Sequence, residues 1–124
     1  MTRPMSIEVI NEYGTPTVRL AVDQHAVLLE ADDVDGVIQC LSAIRASMQP
    51  EVPKHPSRLQ QYVIEMDPCW HTEKNPLLDG AVLFFRHTGL GWAGFSLPQH
   101  SLVQLSDALS AHLQKQGELA GLPN

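Results

Sequence analysis

The chain is poor in the residues that announce a chemistry. Its 124 residues include two cysteines, Cys40 and Cys69. They form no CxxC pair, and no second Cys/His pair stands at ligand spacing, so neither a structural zinc nor a disulfide is expected. Cations are scarce too: eight Lys and Arg against fourteen Asp and Glu, a formal charge of −6. Duplex DNA and anionic lipid both require clustered Lys and Arg. The eight here are scattered, which sets nucleic acid and a membrane surface aside as partners. The longest uncharged apolar run is Gly80–Phe85, far short of the roughly 20 residues that cross a bilayer. Met1–Ser6 holds no apolar stretch of signal-peptide length, so a cytoplasmic location is the expectation. There is no Walker loop, EF-hand or Ser/His/Asp order. No cofactor and no metal are expected.

What is present is a globular composition, 44% apolar and 18% charged, and one domain over residues 1–124 is the default at this length. Seven of the fourteen acids fall in the first 35 positions, where only Arg3 and Arg19 offset them. They read as a solvated face that could also attract a basic partner.

The two halves read alike. Leu97–Ala111 lies over Leu29–Ala43 at a constant offset of 68 residues, with identities at Leu29/Leu97, Leu41/Leu109, Ser42/Ser110 and Ala43/Ala111. Apolar matches fall at Val34/Leu102, Val37/Leu105 and Cys40/Ala108. The pattern suggests a duplicated β-β-α unit, with repeat halves at about 5–48 and 59–116 and a Pro-rich linker at 49–58.

Alternation predicts strands over Met5–Tyr13, Thr17–Asp23, Ala26–Glu30 and Leu59–Asp67, with a turn at Gln24-His25. A helix capped by Asp32 or Asp33 should carry the stripe Val34, Val37, Ile38, Leu41, Ile44 and Met48, with Cys40 as a small core residue beside it. Asp67–Gly80 reads as a long irregular loop. Ala81–Phe85, apolar on both faces, reads as a central strand. Gly89-Leu90-Gly91 reads as a hairpin turn rather than a phosphate loop, because it separates two strands. Gly91–Leu97 is the last strand. Leu102, Leu105, Leu109 and Leu113 mark a second helix that Gly117 and Gly121 close. The expectation is an α+β fold of order β-β-β-α-β-β-β-α, an antiparallel sheet with two helices on one face related by a pseudo-twofold axis.

One segment could carry chemistry. The 67–80 loop offers Asp67, Cys69, His71 and Glu73 at alternate positions, which extended backbone would project to one side. A thiol two residues from an imidazole could be an activated nucleophile or a pair of metal ligands. The plainer reading has Trp70 plugging the edge of the core with Cys69 and His71 beside it. Trp70 and Trp92 are the candidate binding residues. Small size, acidity and α+β make-up resemble the dimeric chaperones of bacterial secretion systems, although those begin with a helix and this chain with a strand. The resemblance implies a dimer that holds a protein client.

With no catalytic constellation in the sequence, the first expectation is a non-enzymatic protein-interaction module, self-associating through the apolar strand Ala81–Phe85. The alternatives are an enzyme or metal site in the 67–80 loop and an acidic secretion-type chaperone.

Overall fold

Alternation is what builds the strands. Val18, Leu20 and Val22 turn to one face of Thr17–Val22 and Arg19 and Ala21 to the other, the period-two pattern of a pleated strand. The computed structural model describes residues 4–11 and 14–121, with side-chain surroundings through residue 115. It contains β1 (Met5–Ile10), β2 (Thr17–Val22), β3 (His25–Leu29), α1 (Ala31–Ser47), β4 (Trp70–Lys74), β5 (Gly80–His87), β6 (Gly91–Pro98) and α2 (Gln99–Gly121). The class is α+β, in the expected order β-β-β-α-β-β-β-α. The six strands form two three-stranded antiparallel sheets, β1-β2-β3 and β4-β5-β6. They belong to two compact units, residues 1–62 and 63–124.

In the first unit, register sets Ile7, Leu20 and Val27 in one row, with Val9, Val18 and Leu29 beside it. On the reverse face Ser6, Ala21 and Ala26 share a row. Asp23, at φ 55°, turns the chain between β2 and β3, a left-handed position that Asp tolerates. His25, expected in that turn, instead opens β3. The expected extension of the first strand to Tyr13 lies outside the described residues.

Helix α1 starts earlier than its acids suggested. Glu30 is the capping residue, and its N–H donates to Asp33 Oδ2 at 3.0 Å. Asp33 thus serves from the third helical position, a capping-box role, and Asp32 sits in the first turn where its charge suits the helix dipole. The stripe of α1 is only partly covered: Val34 and Ile38 are half-buried, whereas Val37, Leu41, Ile44 and Met48 are exposed, and Cys40, expected in the core, is exposed as well. The reason is geometric, since within its unit α1 leans on the sheet chiefly along β3.

Two boundaries around the linker differ from expectation. Residues 48–69 carry no strand, so the alternation of Leu59–Asp67 builds none. Alternation licenses a strand only where a partner strand receives it, and here Tyr62 Oη accepts the N–H of Ser57 at 2.7 Å. A strand appears instead inside the supposed loop, as β4. Its five residues pair with β5 from Trp70↔Phe85 to Lys74↔Ala81. β5 is central in its sheet, as Ala81–Phe85 suggested. Helix α2 begins directly after Pro98 and runs through Gly117 to Gly121. A single glycine costs a helix only about 1 kcal/mol, and its neighbours Gln114, Lys115, Gln116 and Glu118 all favour helix.

A groove between strand and helix is the candidate functional site

The pleat of the second sheet decides which side chains face α2. Trp70 and Thr72 of β4 and Leu83 and Phe85 of β5 stand on one face, joined by register at Trp70↔Phe85 and Thr72↔Leu83. Opposite them, α2 presents Leu102, Leu105, Ser106, Leu109, Ser110 and Leu113 at helical spacing. Between the two rows lies a groove of about 590 Å³. None of its ten lining side chains carries a charge. The groove is open: Trp70 is 66% exposed, Phe85 43%, Leu109 55% and Leu113 72%.

The reverse face of the same sheet is mixed. His71, Glu73, Phe84 and Trp92 line a shallow hollow of about 290 Å³. His71 Nε2 meets Glu73 Oε1 at 3.1 Å, and its ring centre lies 6.0 Å from that of Phe84. Both polar side chains are well exposed, so the pair contributes little to stability.

The residues singled out in the sequence are therefore divided. Asp67, Cys69, His71 and Glu73 do not form one row. Asp67 sits at φ 47° and bends the chain before β4 begins, so it leaves the row that His71 and Glu73 keep within β4. Cys69 is exposed with a free thiol, and its carbonyl accepts the N–H of Arg86 at 2.9 Å. His71 makes its hydrogen bond to Glu73 rather than to Cys69. Trp70 and Trp92 stand on opposite faces of the sheet, Trp70 in the groove and Trp92 in the hollow. Among the described residues no three His, Cys, Asp or Glu side chains lie close enough to hold a metal ion. Among them also, no helix is long and apolar enough to cross a membrane.

The groove residues of α2 were visible in the sequence as an apolar stripe, but a stripe reads first as core. What distinguishes a groove from a core is the cover, and periodicity does not report the cover. No protein-family model, curated protein or solved structure matches the chain.

Proposed function

We propose that the chain is a non-enzymatic protein-interaction module and that the groove between β4–β5 and α2 is its contact surface. One observation carries the reading: ten lining residues without a charge, among them Trp70 and Phe85, which remain open to water. An aromatic side chain presents roughly 150–250 Å². At the exposures of Trp70, Phe85, Leu109 and Leu113, the open apolar area reaches several hundred Å², the size at which surface patches are commonly functional. The absence of charge in the lining disfavours a charged peptide, because its ions would be desolvated without a partner.

A second copy of this chain is the partner that fits first. Each copy brings an identical apolar surface, and a formal charge of −6 per chain disfavours contact through the acids. Two free, exposed cysteines suit a reducing compartment, which supports a cytoplasmic setting. The duplication of a β-β-α unit belongs to the same reading. Ala31 and Gln99, the first residues of α1 and α2, stand at the 68-residue offset of the sequence repeat.

Sedimentation of the full chain at micromolar concentration, with Leu109→Glu beside it, tests the proposal. The expected result is a wild-type dimer and a Leu109→Glu monomer with a lower thermal midpoint. A wild-type monomer overturns the second copy as occupant. A dimer indifferent to Leu109→Glu overturns the groove, and one that dissociates with added salt relocates the contact to charged residues.

A further inference from the structure

His87 ends β5 and holds the turn into β6. Its Nδ1 accepts two backbone N–H groups, those of Gly89 and Leu90, each at 3.0 Å. A ring nitrogen that accepts hydrogen bonds carries no proton, so the imidazole held this way is neutral, with its hydrogen on Nε2.

Beside it stands Glu65, from the segment before β4. Its Oε1 accepts the hydroxyl of Thr88 at 2.6 Å and the N–H of Thr88 at 2.8 Å, and lies 3.6 Å from His87 Nδ1. These two bonds from Thr88 hold the Glu65 carboxyl below the usual carboxylate range, with a smaller contribution from the charge of Arg86. Glu65 is thus anionic throughout the range in which an imidazole titrates. The charged neighbours at this corner are Glu65, from the preceding segment, and Arg86, from β5 itself. β6 places Gly91 opposite His87 in register. The His87 side chain is 36% exposed, so solvent protons reach it.

We propose that His87 is a proton-operated latch on the β5–β6 turn, with Glu65 as its second keeper. In the neutral state Nδ1 holds the amides of Gly89 and Leu90. Protonation converts Nδ1 from an acceptor into a donor, and both amides lose their partner. The new N–H faces Glu65 Oε1 across 3.6 Å, and a small swing of the ring brings it to hydrogen-bond length. That oxygen already receives Thr88 twice, so Thr88 must share it. The turn is then fastened to the segment before β4 rather than to its own backbone. This device is independent of what occupies the groove.

Nuclear magnetic resonance of the full chain over a pH series tests it. The ring nitrogens of His87 and the amides of Thr88, Gly89 and Leu90 are followed together, with hydrogen-exchange protection at each pH. The expected result is that the Gly89 and Leu90 amides shift along the titration curve of His87 and lose protection several-fold as it protonates. In His87→Asn the side-chain Oδ1 takes the acceptor place of Nδ1 at every pH, and both amides should stay protected and flat. In Glu65→Gln the protonated state loses its ionic keeper, and low-pH protection should fall below that of wild type. Titration of His87 with unchanged Gly89 and Leu90 amides overturns the latch. So does a neutral His87 with its hydrogen on Nδ1. A Glu65→Gln variant that follows wild type removes Glu65 from the device.

Discussion

The ring of Phe84 lies across Gly94, its register partner on β6, so closely that a β-carbon at Gly94 would come 2.9 Å from Phe84 Cε1. Two effects of Gly94→Ala oppose each other. Alanine in a strand gains roughly 0.5–1 kcal/mol over glycine through backbone entropy. Overpacking against a seated ring costs about 1–3 kcal/mol. The clash wins, and Gly94→Ala should lower stability by about 1 kcal/mol. In the Phe84→Ala background the ring is gone, and the same change should become neutral or favourable. A double-mutant cycle from denaturant midpoints measures this coupling, and additive effects would show that the ring moves aside freely.

Gly80 opens β5 and Gly91 opens β6, and the two differ in what a side chain would meet. At Gly91, φ is +85° and the space beyond is open, so Gly91→Ala should cost only the left-handed penalty of about 1–2 kcal/mol. Gly91→Asn should recover part of it, because Asn tolerates that conformation. At Gly80, φ is +143° and a β-carbon would fall on the carbonyl of Leu97. Backbone would have to give way, and Gly80→Ala should cost more than about 4 kcal/mol, the range reserved for such disruptions. Thermal or denaturant unfolding of the pair gives the order directly, and equal costs would contradict the close approach at Leu97.

The two tryptophans report on opposite faces of one sheet. Trp70 is 66% exposed in the groove and Trp92 55% exposed in the hollow behind it. If the groove is the contact surface, Trp92→Phe, which leaves Trp70 as sole emitter, should show an emission blue shift as concentration rises through the micromolar range. Trp70→Phe, which leaves Trp92, should not. A shift confined to Trp92 would place the contact on the hollow instead.

Glu65 gives the chain a defined response to acid. Its carboxyl is held low first by the Thr88 hydroxyl and then by the Thr88 N–H. A carboxyl depressed in the folded state contributes stability above its unfolded value, about 4.3 for Glu. That contribution is lost as the pH falls through the folded value. Thr88→Val removes the hydroxyl donor and should lower the denaturant midpoint at neutral pH. The wild-type and variant midpoints should converge once both carboxyls are protonated in strong acid. A constant gap across the series would assign the effect to packing.

The order of elements was legible because most strands announce themselves by alternation and both helices by stripes. β2 and β5 are good cases: Val18, Leu20 and Val22 alternate, and Ala81–Phe85 is apolar on both faces, as a central strand should be. β4 was hidden because Trp-His-Thr-Glu-Lys offers only Trp70 to an apolar face, and its pairing is dictated by β5 rather than by its own pattern. Leu59–Asp67 shows the converse, an alternating run with no strand to receive it. The groove was half legible, since the α2 stripe was plain and its lack of cover was not. The meeting of Glu65 with Thr88 had no signal at all. Both are polar residues outside regular elements, 23 positions apart, and only the hairpin brings them together.

Ala21 is the one apolar residue among those described that is fully buried, at 8% exposure. Burial of apolar area is the main term that opposes chain entropy, and half-buried residues such as Leu20, Val82 and Leu102 supply less of it than a closed core would. Ordering the chain and covering its apolar faces should therefore be one thermodynamic event rather than two. Mass action then enters the melting curve. The thermal midpoint should climb with the logarithm of protein concentration, as it does when association and folding are linked. Dilution alone should loosen the molecule, so its abundance would govern how much of it is structured. A midpoint unchanged over a hundredfold dilution, measured by scanning calorimetry, would show that each chain holds its structure alone.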